Sequence, residues 1–263
     1  MKLNILLPTL GQRENELYRL FNSLEHQTNM SFKLIVISQA NHEMIENILS
    51  EFTFNYEHIR INKIGLSIAR NIGMNYVEGE YLALADDDAW YPDNSIDSII
   101  TEMECINEEI ACFKIYDPIS NKYYKNYNKH TTRVNKRQLL RKSSIEICFN
   151  IKKIGKDNIK FDENFGLGTK YGSGEENLLL HDLVKKGNKI RFVDKTVVFH
   201  QIKNTFEIDS RFIETKAEIL KRILGKFRAY IFLNLILIKY YNNINKIGKL
   251  NAFKMVLNFV IMK

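Results

Sequence analysis

Cysteine, proline and tryptophan are scarce in this sequence, and long hydrophobic runs are missing. The 263 residues contain three cysteines, an odd number whose spacing fits neither a disulfide framework nor a zinc site. We therefore expect buried free thiols at Cys105, Cys112 and Cys148. The apolar run from Leu3 to Leu7 ends at Pro8 and is too short for the core of a signal peptide, so we expect a cytoplasmic protein.

Acidic residues are absent from the last part of the chain. After residue 218 there are nine lysines and arginines and no acid, although the net charge of the whole chain is only +7. The preceding residues are therefore slightly acidic overall, which argues against a nucleic-acid-binding protein. The stretch AYIFLNLILI in this last part is shorter than the roughly 20 apolar residues that cross a bilayer.

One predicted helical face near the C-terminus is apolar and is flanked by lysines. A basic amphipathic helix of this kind suits the plane of an anionic membrane. The alternative is that these helices pack on the rest of the protein or on a second subunit, which would give a homo-oligomer. The residues of the face are Leu250, Phe253, Leu257, Val260 and Ile261.

Strand-like and helix-like patterns alternate up to about residue 115. The runs LNILL, KLIVI and YLALA are typical of buried strands, and the segments between them carry apolar residues at helical spacing. This alternation predicts an α/β fold with a mostly parallel sheet flanked by helices. In such folds, ligands collect at the carboxyl ends of the strands.

Three consecutive acids, Asp86, Asp87 and Asp88, follow the run YLALA. Like charges in a partly buried place are costly unless a cation binds them. If the strand continues through them, its alternation points Asp86 and Asp88 the same way, and two such carboxylates suit Mg2+ or Mn2+. The alternative is that the acids cap the following helix, but capping needs only one acid.

Three long stretches resemble family 2 glycosyltransferases. They are NILLPTLGQRENELYRLFNSLEHQT, GLSIARNIGMNYVEGEYLALADDDAWYPDN and IKFDENFGLGTKYGSGEENLLLHDLVKKGNKIRFVDKTVVFH, and together they cover most of residues 3–200. The resemblance implies an A-type glycosyltransferase fold, a nucleotide diphospho-sugar donor, a Mn2+ or Mg2+ cofactor and inversion at the anomeric carbon. Together with the basic tail, it suggests a glycan or lipid-linked glycan acceptor in surface polysaccharide assembly, at the inner face of the cytoplasmic membrane.

The resemblance also implies roles for single residues. Asp86 and Asp88 match an Asp-x-Asp motif whose last acid binds the metal, while the earlier acids, here Asp86 and Asp87, reach the metal or the ribose. Glu176 matches the general base, which must lie within reach of the acceptor hydroxyl, and its neighbour Glu175 is the alternative. His200 ends a strand where similar enzymes supply a further ligand, although a structural histidine is equally compatible. The candidate metal ligands are Asp86, Asp88 and His200.

The implied donor-binding residues follow the first two strands and form the ARN element. Arg70 would pair with a phosphate or with the acid cluster, the alternative being a plain salt bridge with Asp87. After the second strand the family usually has an aspartate that contacts the base, but this sequence has Ser38. UDP is favoured as the nucleotide, and dTDP stays open. The residues in this group are Pro8, Thr9, Ser38, Arg70 and Asn71.

We predict three parts: a donor-binding half at residues 1–115, an acceptor-binding half at 116–205 and a basic helical tail at 206–263. The segment 123–142 is basic with interleaved tyrosines. It lacks a recognised nucleic-acid motif, so we interpret it as an acceptor-facing or membrane-facing loop. Two other functions use the same features, a metal-dependent phosphoryl-transfer enzyme and a noncatalytic binding subunit.

Overall fold

The computed structural model describes residues 1–202, 207–244 and 247–262, without the side chains of residues 136 and 137. The strands are β1 Leu3–Thr9, β2 Phe32–Ser38, β3 Tyr56–Arg60, β4 Tyr81–Leu84, β5 Ala89–Trp90, β6 Ile110–Asp117, β7 Lys122–Tyr123, β8 Thr132–Arg133, β9 Ile147–Asn150 and β10 Ile190–His200. The helices are α1 Glu14–Glu25, α2 His42–Leu49, α3 Leu66–Gly73, α4 Ser95–Cys105, α5 Lys136–Leu139, α6 Ile151–Ile154, α7 Glu175–Lys185, α8 Ser210–Leu224, α9 Lys226–Lys239 and α10 Lys249–Leu257.

The strands form one mixed sheet in the order β3-β2-β1-β4-β9-β6-β10-β5. Strands β3, β2, β1 and β4 are parallel, and β6 and β10 are parallel to each other. Strands β9 and β5 run antiparallel to their neighbours. All seven residues of β1 and of β2 are buried, as expected for parallel strands that helices cover on both faces. The predicted mostly parallel sheet flanked by helices is confirmed.

Strand β5 belongs to the first predicted half but pairs with β10 of the second. It follows the three acids directly and pairs with the end of β10, with Ala89 opposite His200 and Trp90 opposite Phe199. This pairing brings His200 beside the acid cluster, although the two are more than a hundred residues apart in the chain. The predicted boundary at residue 115 falls inside β6, and Phe206, the predicted first residue of the tail, lies outside the described residues.

The C-terminal helices α8, α9 and α10 pack on one another around a hydrophobic core of their own. Helix α9 is apolar on two sides, because Ala229, Leu233 and Leu237 are buried in that core while another row of large apolar side chains is exposed. We call this exposed row the apolar stripe: Phe227, Ile231, Leu235 and Ile238.

Within the described ranges, no helix is long and apolar enough to cross a bilayer. Two of the basic residues counted above, Lys246 and Lys263, lie outside the described residues.

The cysteines lie in two different environments. Cys112 on β6 and Cys148 on β9 are buried free thiols, as predicted. Cys105 is exposed at the end of α4, so the prediction is wrong at that position. The buried face of α4 ends at Met103, and Cys105, the last residue of the helix, lies off that face.

Candidate functional site

The carboxyl ends of β1, β2 and β4 meet at a cleft of about 300 Å3. Its walls are the loop after β1, the acids after β4, the loop before α3 and a turn at Leu167 and Gly168. Parallel α/β sheets bind ligands at this edge, and we call the cleft the donor cleft after the donor-binding residues that the sequence predicts there. The described polar side chains that line it are Thr9, Gln12, Arg13, Gln39, Asp86, Asp87, Asp88, Tyr124 and His200.

The three acids lie in a turn and not in a strand. Strand β4 ends before them, and the backbone N–H of Ala89 donates to the carbonyl oxygen of Asp86 at 3.1 Å. The premise that the strand continues through the acids is therefore wrong, and the alternation of a strand does not apply to them. All three acids line the cleft. Asp87 and Asp88 share one cationic partner and Asp86 has another.

Arg13, just before α1, forms ion pairs with two of the acids. Its Nη1 atom lies 3.1 Å from Asp87 Oδ1 and 2.6 Å from Asp88 Oδ2. The hydroxyl of Thr9 donates to Asp87 at 2.8 Å. Burial is the main reason that the pKa of Asp87 is raised, while Thr9 and Arg13 oppose the shift and the neighbouring carboxylates add to it. Cations do hold the acids together, and in this structure they are arginines of the chain itself.

Arg70 on α3 is completely buried and joins acids from two distant parts of the chain. Its Nη2 atom lies 3.1 Å from Asp86 Oδ1, and its Nη1 atom lies 2.8 Å from Oε1 of Glu175, the first residue of α7. The alternative salt bridge was expected with Asp87, and the partner is Asp86 instead. Since the guanidinium does not reach the surface of the donor cleft, Arg70 acts here as a positioning residue that fixes Asp86.

Two neighbouring glutamates at the start of α7 have different environments. Glu175 is buried, and its carboxylate forms an ion pair with Arg70. Glu176 is half-buried and lies in the electric field of Glu175 and of Lys216 on α8. Burial first, and the charge of Glu175 second, raise the pKa of the Glu176 carboxyl. A carboxylate that does not pair with Arg70 and whose pKa is raised to about 8 has the properties required of a general base.

Asp88 and His200 lie together at the edge of the donor cleft. His200 Nε2 is 3.1 Å from Asp88 Oδ1, and the buried Nδ1 of His200 has no hydrogen-bond partner among the described residues. Within those residues, no group of three or more histidine, cysteine, aspartate or glutamate side chains is arranged to hold a metal ion. Mg2+ bound with a nucleotide usually takes one or two carboxylates, phosphate oxygens and water, so Asp88 fits such a metal, with His200 beside it.

The remaining predicted donor residues fall in two groups. Pro8 and Thr9 line the donor cleft. Ser38 is fully buried, and its hydroxyl lies 2.6 Å from His42 Nδ1 and 2.8 Å from His58 Nε2. The side chain of Asn71 donates to the carbonyl of Phe161 at 2.9 Å and accepts from its N–H at 2.8 Å. These two bonds fix the backbone at Phe161, before the turn at Leu167 and Gly168. The structure does not bring Ser38 or Asn71 to the surface of the cleft.

The sequence analysis did not single out Gln12, Arg13, Gln39 or Tyr124, which all line the donor cleft. A signal for Arg13 existed, because it is the only basic residue in the loop between β1 and α1. Tyr124 belongs to the segment 123–142, which we interpreted as an acceptor-facing or membrane-facing loop and not as part of the donor site. Its ring reaches the cleft because it packs edge-on against His200, with ring centroids 5.2 Å apart.

Comparison with known proteins agrees with this geometry. The family described as Glycosyl transferase family 2 matches residues 4–162, which is more than half of the chain. The chain belongs to this family. The match covers most of the lining of the donor cleft, from β1 through the acids, and ends before Leu167, Gly168 and His200, which line the rest of it.

Relatives within the family are distant. Glycosyltransferase GlyA of Streptococcus pneumoniae serotype 4 (strain ATCC BAA-334 / TIGR4) is 25% identical over 118 residues, 44% of this chain and 17% of that protein. The uncharacterized glycosyltransferase YibD of Escherichia coli (strain K12) is 30% identical over 95 residues, 35% of this chain and 27% of that protein. The matches therefore span less than a third of either curated relative.

Solved structures show the fold over nearly the whole chain. The crystal structure of S. aureus TarS 1-349 aligns with a TM-score of 0.70 and 17% identity, covering 99% of this chain and 81% of that one. The same protein in complex with UDP-GlcNAc gives a TM-score of 0.72 and 16% identity, with 99% and 82% coverage. The expected A-type glycosyltransferase fold with C-terminal helices is confirmed.

Proposed function

We propose that this protein is an inverting glycosyltransferase that moves a sugar from a nucleotide diphospho-sugar, with UDP favoured, to a hydroxyl group of a glycan or lipid-linked glycan in bacterial surface polysaccharide assembly. The observation that carries the proposal is the donor cleft of a family 2 chain, in which Asp86, Asp87 and Asp88 are held at the sheet edge by Arg13 and Arg70. The similar solved structure in complex with UDP-GlcNAc supports a UDP-sugar as the donor.

In the proposed reaction, Glu176 removes the proton of the acceptor hydroxyl. The acceptor oxygen forms the new bond to the anomeric carbon from the side opposite the leaving group, and the bond to the diphosphate breaks with its electron pair remaining on the phosphate oxygen. The raised pKa of Glu176 makes it a stronger base than an exposed glutamate. Arg70 keeps Asp86 oriented, because its guanidinium is fixed by Glu175 on the other side.

Asp88 and His200 are the proposed protein ligands of a divalent metal, with Asp86 as a further candidate. A Mn2+ or Mg2+ held there would act as a Lewis acid and stabilise the charge that grows on the leaving diphosphate. Arg13 neutralises part of the negative charge of Asp87 and Asp88. Asp87, which accepts from Thr9, is proposed to contact the ribose.

Calorimetric titration with UDP and dTDP, each with Mn2+ and with chelator, tests this proposal. We expect Mn2+-dependent binding of UDP that is lost in Asp88→Asn. Glu176→Gln should keep UDP binding and lose transfer of sugar to an acceptor glycan. Binding without turnover in the wild type, with every acceptor glycan offered, would instead support the noncatalytic alternative. Metal-dependent cleavage of nucleic acid by the purified protein would support phosphoryl transfer.

The tail is proposed to dock the enzyme on an anionic membrane surface. The apolar stripe on α9 is exposed, with Phe227 at 75% and Ile238 at 61% relative exposure, and the surrounding chain after residue 218 is basic without an acid. Buried apolar area and attraction between lysines and anionic lipids act together in such interfaces. This surface would place the donor cleft at the inner face of the cytoplasmic membrane, where a lipid-linked acceptor is found.

Flotation with phosphatidylglycerol vesicles checks the docking proposal. We expect binding that weakens with salt and falls strongly in Ile231→Gln/Leu235→Gln. The matched control Met30→Gln/Ile119→Gln removes two exposed apolar side chains elsewhere and should leave flotation unchanged. If the stripe variant floats like the wild type but changes a dimer into a monomer in sedimentation, the stripe covers a second copy of the chain instead.

A further inference from the structure

A second concave surface lies beside the donor cleft, on the segment between β6 and α5. It has a volume of about 1010 Å3, at the upper end of the range of roughly 300–1,000 Å3 that is usual for ligand sites. We call it the lysine–tyrosine groove, after the side chains that characterise it: Lys114, Lys122, Lys125, Lys129, Tyr123 and Tyr127.

The groove carries an excess of positive charge. Between residues 118 and 145 the chain has eight lysines and arginines and no acid. One acid from another strand, Asp194 on β10, also lines the groove and pairs with Lys114 at 2.7 Å. Lys125 is held inside by Glu146 at 3.2 Å and by the carbonyl oxygen of Arg141 at 2.6 Å. Lys122 and Lys129 are exposed, and within the part of the chain that the structure describes neither forms an ion pair. The exposed charges are therefore available to a negatively charged ligand.

The tyrosines of the groove are fixed in place. Tyr127 stacks on Phe192 with an interplanar angle of 8° and centroids 5.7 Å apart, and its hydroxyl accepts from the N–H of Ile115 at 3.0 Å. Tyr123 lies edge-on to Tyr116 at 5.3 Å and is half exposed. A rigid, exposed aromatic face can stack on the C–H face of a sugar ring at low entropic cost. The tyrosines do not form the row of open faces that single-stranded nucleic acids stack on.

The groove adjoins the donor cleft through three consecutive residues. Tyr124 lines the donor cleft beside the acids and His200, while its chain neighbours Tyr123 and Lys125 line the groove. The backbone of Tyr124 is fixed to β6, because its N–H donates to the carbonyl of Ile115 at 3.0 Å. A polymer that lies in the groove can therefore extend one end toward the donor.

We infer that the lysine–tyrosine groove binds the acceptor, and that this acceptor is an anionic glycan bearing phosphate or carboxylate groups. The inference rests on the proposed function and adds to it the charge class of the acceptor. Lys122 and Lys129 bind the anionic groups, and Tyr123 stacks on a sugar between them. The neutral glycans that the proposed function also permits are poor ligands of this groove.

Binding of defined oligosaccharides to the full chain tests the inference. Carboxymethyl-dextran and phosphorylated dextran oligomers are compared with neutral dextran oligomers of the same length, by calorimetry at low and moderate salt. We expect the anionic oligomers to bind more tightly than the neutral ones and to weaken with salt. Lys122→Gln/Lys129→Gln should weaken their binding by about 30-fold, since each of the two lysines contributes on the order of 1 kcal/mol near an anionic surface and about 1.4 kcal/mol is tenfold.

Two further variants separate the groove from general charge attraction. Lys160→Gln/Lys185→Gln removes the same charge from exposed positions elsewhere and should change binding little. Tyr123→Ala should weaken the anionic oligosaccharides and not inorganic polyphosphate, which has no sugar ring. Equal binding of neutral and anionic oligomers, or an equal loss in the two lysine variants, would overturn the inference.

The remaining outcomes identify other ligands or other failures. Tighter binding of a single-stranded oligonucleotide or of phosphatidylglycerol vesicles, with loss in Lys122→Gln/Lys129→Gln, would reassign the groove and overturn the inference. UDP binding is measured on each sample. A groove variant that binds UDP normally but loses the anionic oligomers supports the inference, whereas a wild type that binds no nucleotide would refute the proposed function itself.

Discussion

Replacing the buried Arg70 by methionine should destabilise the protein more than any loss of a surface charge. Methionine keeps the aliphatic length of the side chain but removes the ion pairs with Asp86 at 3.1 Å and Glu175 at 2.8 Å. Glu175 is only 4% exposed, so its charge is then left in a place with little water. Asp86 is more exposed, so water would solvate its charge and the lost ion pair with Arg70 would cost little there.

The expected loss is about 3–5 kcal/mol in the free energy of unfolding, the cost of breaking a buried ion pair on one side. Replacing both members of the pair, in Arg70→Met/Glu175→Met, removes the stranded charge. The double variant should therefore lie within about 2 kcal/mol of the wild type. The difference between these two results is the coupling energy of the pair.

Urea unfolding at neutral pH, followed by the fluorescence of the one tryptophan, measures these values. Arg222→Met is the matched control, because Arg222 pairs with Asp162 at 2.5 Å and with Glu218 at 3.2 Å while 42% of its side chain is exposed. The control should lose less than about 1 kcal/mol. A loss in Arg70→Met no larger than in the control would refute the argument that the buried pair organises the site. Mn2+-dependent UDP binding in the double variant would then show whether Asp86 still takes its position.

Three further predictions follow from single contacts. A base works only when deprotonated, and burial raises the pKa of Glu176 to about 8, so kcat/KM should fall as pH drops below about 8, well above the range of an ordinary glutamate, and Glu176→Gln should be about 100- to 10,000-fold slower with no such fall. Gly73→Ala should lose about 1–3 kcal/mol in urea unfolding, because its new Cβ would lie 2.3 Å from Leu6 Cδ1 in the core. Ellman's reagent should modify one thiol quickly in the native protein, the exposed Cys105, and all three in denaturant; two fast thiols would contradict the buried positions of the others.

Local patterns were sufficient to predict the sheet and the position of the acids. Buried apolar runs separated by helical segments gave β1, β2 and β4, and the acids were expected at the end of the last of these. The direction in which each acid points was not predictable in the same way. It depends on where β4 ends, and the backbone bond from Ala89 to Asp86 closes a turn that no periodicity indicates.

The partners of the site residues were harder to predict than the residues themselves. Ser38 and Asn71 were expected at the donor, but their side chains are occupied by histidines and by the backbone of Phe161. Burial of a polar side chain requires such partners, and the partner is chosen by packing and not by the motif. A resemblance to a family therefore predicts which residues lie near the site more readily than it predicts which partners they contact.

By itself the sequence determined the layered α/β fold, the basic tail and the place of three acids at a strand end. Hydrophobic periodicity and composition are properties of neighbouring residues, so they can be read along the chain. Only the tertiary structure decided that Arg13 and Arg70 neutralise those acids, that Glu175 is occupied and Glu176 is not held by Arg70, and that β5 brings His200 to Asp88. These contacts join residues 16 to 112 positions apart, and the packing of distant elements against one sheet brings them together.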